Sequence, residues 1–297
     1  MTPVPETEQW ITSRRAAVRL VALDGAGDPT ATLVLAHGMV TSTDVLRQAR
    51  PGVDPYRMLA RAGLNVRAVD LPGHGRSGGR RGHLTWRAAL DALHDAVGAA
   101  TDRWDTPVAL GGTALGGALA AYAALSDDRV AAVVAHTLID LRDIRPLLQR
   151  FRQKALLPIA GRVLTLLDPE AGRQASRGIV VPAAAVVALS DLAGDPALAR
   201  TLARHPQAVR VYSLAGLASI LLAPDDKPDL AALRQPTLVL AGGGDRVQPV
   251  TAIRHVAARL TGPTEVHVIP GAGHQLLIEH HRAVIGRIAE FVQRVCG

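Results

Sequence analysis

The chain has 297 residues, 48% hydrophobic and 20% charged, a globular mix that excludes wholesale disorder and allows one large domain or two small ones. The net charge of +7 raises nucleic acid as a partner, but the arginines are scattered, no basic run exceeds Arg80-Arg81, and aromatics at 3% are too few for base stacking. One cysteine, Cys296, excludes an intrachain disulfide framework, and apolar runs such as Ile179–Leu189 fall short of the roughly 20 residues that span a bilayer.

Met1 to Gln9 carries acids and prolines and lacks an apolar signal core. Ser13-Arg14-Arg15 faintly resembles a twin-arginine signal, but Arg19 breaks the apolar stretch behind it. The expectation is a soluble cytoplasmic protein without stable membrane insertion. Of the 33 basic residues only Lys154 and Lys227 are lysines, which fits codon bias in a GC-rich bacterial genome better than a nucleic-acid surface. Ala16–Leu23 is the first strand signal, and the Gly/Asp/Pro turn Asp24–Pro29 follows it. Ala31–Ala36 is a continuous apolar run, the mark of a strand covered on both faces. A polar stretch and a helical pattern at Pro55–Ala62 lead to the strand Leu64–Val69, which breaks into Asp70-Leu71-Pro72-Gly73-His74-Gly75. Trp86, Leu90, Leu93 and Val97 have helical spacing within Thr85–Thr101. The strand Val108–Gly111, the alanine-rich helix Gly116–Leu125 and the strand Val130–Val134 come next. Pro236–Ala241 and Glu265–Ile269 are the last strands, and the helix Arg282–Val295 closes the chain. Strands alternating with helices predict a mostly parallel, doubly wound α/β sheet. The alternation stops over residues 141–228, too long for a loop. This segment is expected to be a helical cap inserted into a core made of residues 1–140 and 229–297.

Chemistry concentrates in Val108–Leu119, where a strand meets glycine-rich sequence and a helix begins at once. This is the setting of a nucleophile elbow, G-x-S-x-G, whose tight turn requires small flanking residues. The frame is Gly112-Thr113-Ala114-Leu115-Gly116, with Ala114 at the nucleophile position. Asp245, after Gly242-Gly243-Gly244, and His274, after Pro270-Gly271-Ala272-Gly273, follow in the order acid then base. His274 is the expected general base, with Asp245 holding its tautomer. His37-Gly38-Met39 follows an apolar strand, so the amides of Met39 and Leu115 are the expected oxyanion donors. His37, Gly38, Thr113 and His136 are the candidate substrate-binding residues, with His37 expected chiefly to brace the loop that holds Met39. His136 and Asp140 end the strand leading into the cap, where they either line the site or anchor the cap, with anchoring favoured.

Together these parts resemble the α/β-hydrolase superfamily over the whole chain. Gly73-His74-Gly75-Arg76-Ser77-Gly78-Gly79-Arg80-Arg81-Gly82-His83 resembles the loop of monoacylglycerol lipases and related lysophospholipase-like hydrolases of the serine aminopeptidase S33 type, as does Asp195-Pro196 in the cap. The resemblance implies the α/β-hydrolase fold with an inserted helical cap. It also implies hydrolysis of a small-molecule carboxylic ester, often a lipid monoester, by a Ser-His-Asp triad with no cofactor. The apolar cap runs Ala155–Leu167, Gly178–Leu189 and Leu214–Ala223 suit a hydrophobic acyl chain or packing against the core. Ala114 departs from the family pattern, and two readings follow. Either a serine was replaced, as in an engineered inactive variant, or the lineage is naturally non-hydrolytic. A non-hydrolytic chain would bind a small molecule or use His274 and Asp245 in a lyase or isomerase step. The intact acid, base and oxyanion elements favour the first.

Other motifs are set aside on context. Gly75-Arg76-Ser77-Gly78-Gly79 also matches G-x-S-x-G, but no helix pattern starts there. Gly73-x-Gly75-x-x-Gly78 lacks the helix that a dinucleotide fingerprint opens. Glu279-His280-His281 lacks zinc-site spacing, so no metal site is expected.

Overall fold

The computed structural model describes residues 4–14, 16–144 and 178–297. Ten strands are present among them. The first six are β1 (Glu6–Ser13), β2 (Ala16–Leu23), β3 (Thr32–Ala36), β4 (Asn65–Val69), β5 (Val108–Thr113) and β6 (Val130–His136). They are followed by β7 (Val180–Pro182), β8 (Val211–Ser213), β9 (Thr237–Gly242) and β10 (Thr264–Ile269). Eight of them form one sheet in the order β1-β2-β4-β3-β5-β6-β9-β10. Pairing is parallel from β4 through β10 and antiparallel for β1 on β2 and β2 on β4.

The apolar runs become central strands because both sheet faces are covered. In β3, Leu33 and Leu35 point into the core on one face, while Val34 and Ala36 enter the core on the other. The carboxyl-terminal helix His281–Cys296 packs on the first face. Helices α3 (Trp86–Thr101) and α4 (Leu115–Ala124) pack on the second. Side-chain caps start the first three helices: Ser42 for α1 (Thr43–Gln48), Asp54 for α2 (Pro55–Arg61) and Thr85 for α3.

Strand β1 was not expected, since Met1 to Gln9 showed only acids and prolines. Seven of its eight residues lie outside the core, so it has no apolar period to read. Charge pairs hold it instead: Glu6 with Arg47 at 2.7 Å, and Glu8 with Arg19 at 3.0 Å and Arg76 at 2.7 Å. Helix α1 likewise falls in a stretch that sequence alone marked only as polar.

After β6 the chain leaves the large sheet and rejoins it at β9. The described part of this excursion carries the antiparallel β7–β8 pair and the helices Pro196–Arg204 and Leu214–Leu221. The expected cap run Ala155–Leu167 lies outside the described residues. No helix among the described residues is long and apolar enough to cross a membrane.

Candidate active site

Strand β5 ends at Thr113, helix α4 begins at Leu115, and Ala114 joins them at φ 50°, ψ −118°. A non-glycine residue held there costs about 1–3 kcal/mol, which the surroundings must offset. They do so by close packing. A Cβ on Gly112 would lie 2.4 Å from the carbonyl carbon of Gly116, and one on Gly116 would lie 2.4 Å from the His37 oxygen. The Ala114 amide donates to the His136 carbonyl at 2.7 Å, tying the turn to β6. Gly38 approaches so closely that its Cβ would sit 3.0 Å from the Ala114 methyl. The glycines, not the residue at 114, impose this turn.

The loops after β9 and β10 are pressed together just as tightly, since a Cβ on Gly242 would meet the Gly273 oxygen at 2.2 Å. This brings His274 Nδ1 to 2.8 Å from Asp245 Oδ2, with both side chains buried. Asp245 Oδ1 accepts from the amides of Val247 at 2.7 Å and Gln248 at 3.0 Å. Burial works to raise the Asp245 carboxyl, but the adjacent His274 ring and these two amides outweigh it and hold it below its ordinary value. An ionised carboxylate only accepts, so Nδ1 of His274 carries a hydrogen, which leaves Nε2 as the ring's one nitrogen free to take up or release a proton.

Ala114, Leu115, Met39 and His274 line one cavity of about 110 Å³. Among the described residues its other walls are almost wholly aliphatic: Ile139, Leu141 and Ile144 after β6; Val186, Val187, Leu192, Leu217, Leu221 and Leu222 from the excursion; and Val247 and Gln248 beside Asp245. Gly38 lines a smaller neighbouring cavity with Met39, His74 and Tyr212.

The other candidate substrate-binding residues lie behind these walls. His37 is fully buried, its Nδ1 2.8 Å from the Gly38 oxygen and its Nε2 accepting from the Leu71 amide at 3.0 Å. It braces the loop, as expected. Thr113 sits buried at the end of β5 and does not line the cavity. His136 is also off the cavity, its ring 6.0 Å from that of His274 and neither nitrogen hydrogen-bonded. Burial, with a smaller push from His274, drives His136 down to about 3, so it stays neutral. Asp140 accepts from Tyr122 at 2.8 Å and Arg259 at 2.9 Å, both outside the inserted segment, and does not line the cavity. Ser77 donates to the Asp70 carbonyl at 2.6 Å and accepts from the Arg19 amide at 2.7 Å, a structural pairing. No group of three or more metal-ligating side chains occurs among the described residues. The aliphatic wall from Leu217 to Leu222 was legible as an apolar run, whereas Gln248 and Tyr212 carried no local signal.

A curated monoacylglycerol lipase of Mycolicibacterium smegmatis is 29% identical over 267 residues, covering 87% of this chain and 86% of that protein. The crystal structure of a monoacylglycerol lipase from Paleococcus ferrophilus superposes with a TM-score of 0.69 at 20% identity, covering 92% of this chain and 99% of that one. A thermostable carboxyl esterase from Bacillus coagulans superposes with a TM-score of 0.74 at 14% identity, covering 99% of each chain. Both show the same α/β-hydrolase fold. The family model for serine aminopeptidase, S33, matches residues 27–281, and the chain belongs to that hydrolase family.

Proposed function

We propose that this chain is a carboxylic ester hydrolase of the monoacylglycerol lipase and esterase type with its nucleophile replaced by Ala114. One observation carries the reading. A residue held in the strained elbow conformation faces the same cavity as a histidine hydrogen-bonded to a buried carboxylate. With serine at position 114, its hydroxyl oxygen attacks the ester carbonyl while Nε2 of His274 takes the proton. Asp245 fixes the tautomer and stabilises the imidazolium that forms. The amides of Met39 and Leu115 receive the charge on the carbonyl oxygen. His274 then returns its proton to the leaving alcohol, and water releases the acid by the same route. The aliphatic walls suit a hydrophobic acyl chain, and the described residues of the inserted segment that line the cavity act as a cap over it.

The methyl group at 114 also supports a second reading, in which the chain binds an ester-like molecule without cleaving it or uses His274 for proton transfer alone. The test compares this chain with Ala114→Ser on short and medium p-nitrophenyl esters and a monoacylglycerol. The serine variant is expected to turn over about 10⁴- to 10⁶-fold faster. Two folded proteins that both fail to turn over would overturn the hydrolase reading and leave the second.

A further inference from the structure

We propose that Tyr212, a residue of the inserted segment, is a positioning residue for the oxyanion turn Gly38-Met39-Val40. The proposal rests on the ester-hydrolase reading, which assigns the Met39 amide to the developing oxyanion.

The turn is strained at one place. Val40 has φ 70°, the left-handed region that a β-branched residue avoids. Something must hold it there, and four contacts do. The Val40 amide donates to the Tyr212 hydroxyl oxygen at 2.7 Å. The Val40 carbonyl accepts from the Val209 amide at 2.9 Å. The Gly38 carbonyl lies 2.8 Å from His37 Nδ1 and accepts from the Thr41 hydroxyl at 3.2 Å. Two of the four come from residues 209–212, far from the turn in sequence.

The Tyr212 contact is part of a chain with only one consistent direction. The hydroxyl accepts from Val40, so its own hydrogen is free for His74 Nε2 at 3.2 Å. His74 must then carry its proton on Nδ1, which faces the Pro72 carbonyl at 3.1 Å, a group that can only accept. Burial pushes His74 down to about 3, so it remains the neutral acceptor this arrangement needs. All three members are buried. The segment is also fixed on its other side, where Ser213 donates its amide to the Gly82 carbonyl at 3.0 Å and its Oγ lies 2.6 Å from His83 Nδ1. Strand β8 therefore sets where Val40, and with it Met39, can sit.

The experiment places Tyr212→Phe in the Ala114→Ser background and measures kcat and KM on a medium-chain p-nitrophenyl ester. It also follows hydrogen exchange of the Val40 amide in the chain as it stands and in its Tyr212→Phe variant. Removing an oxyanion donor outright costs about 10²- to 10³-fold in kcat, and misplacing one is expected to cost about 10- to 100-fold. KM is expected to stay within about 3-fold, a split that general loosening of the fold would not produce. Val40 exchange is expected to quicken at least about 10-fold. Unchanged kcat overturns the proposal whatever exchange does. If Ala114→Ser is itself inactive, the ester reading has failed, and Val40 exchange alone decides whether Tyr212 holds the turn; unchanged exchange overturns it.

Discussion

At position 114, serine and alanine differ by one oxygen atom, and the strained turn is held by groups outside that side chain. The φ of 50° persists with a methyl side chain because glycines at 112 and 116 and the Ala114–His136 hydrogen bond impose it. The Asp245–His274 pair makes a sharper demand on chemistry. In the Ala114→Ser background, Asp245→Asn is expected to lower kcat about 10⁴-fold, because the amide favours the wrong tautomer of His274. Steady-state kinetics at neutral pH checks this, and a loss under about 10-fold would remove Asp245 from its role. Ala114, Asp245 and His274 were legible because each sits among glycines that permit only one kind of turn. Tyr212 was not legible, since its hydroxyl acquires meaning only where it meets Val40, 172 residues away in sequence.

Helices and strands were read where an apolar period existed and missed where charge replaced it. Strands β3, β5 and β9 are wholly buried and announced themselves as apolar runs. Strand β1 did not, because arginine–glutamate pairs hold it instead. Glycine separates two kinds of helix position just as cleanly. Gly116→Ala puts a Cβ 2.4 Å from the His37 oxygen and is expected to destabilise by about 1–3 kcal/mol or more. Gly286, in the helix His281–Cys296, has nothing within 4 Å of an added Cβ. Gly286→Ala is expected to stabilise by about 0.5–1 kcal/mol. Urea denaturation of the two variants should move the midpoint in opposite directions.

Besides His274, the molecule buries three histidines that burial keeps neutral, and this sets its response to acid. His74 and His136 are pushed down to about 3, and His37 is lowered, each chiefly by burial. Unfolded, each takes up a proton near pH 6.5. Stability is therefore complete above about pH 6.5 and falls as the pH drops toward the folded values, by up to about 1.4 kcal/mol per unit for each ring. Asp245, held below its ordinary value, adds a loss at still lower pH, as the carboxyl protonates. Thermal melts from pH 8 to pH 4 should fall steeply on the acid side. His136→Phe, which removes two unpartnered nitrogens, should flatten that slope and raise stability at pH 5. A slope unchanged by this variant would mean that His136 is charged in the fold. The methyl at 114 has one more consequence at this scale. A chain that holds an ester without consuming it is stabilised by mass action, by about 2.7 kcal/mol when the ester is at one hundred times its dissociation constant. Melting curves across a set of intact esters would then rank acyl length and head group at equilibrium, free of turnover and product release. On the proposed reading, the methyl at 114 makes the protein a thermometer of its own specificity.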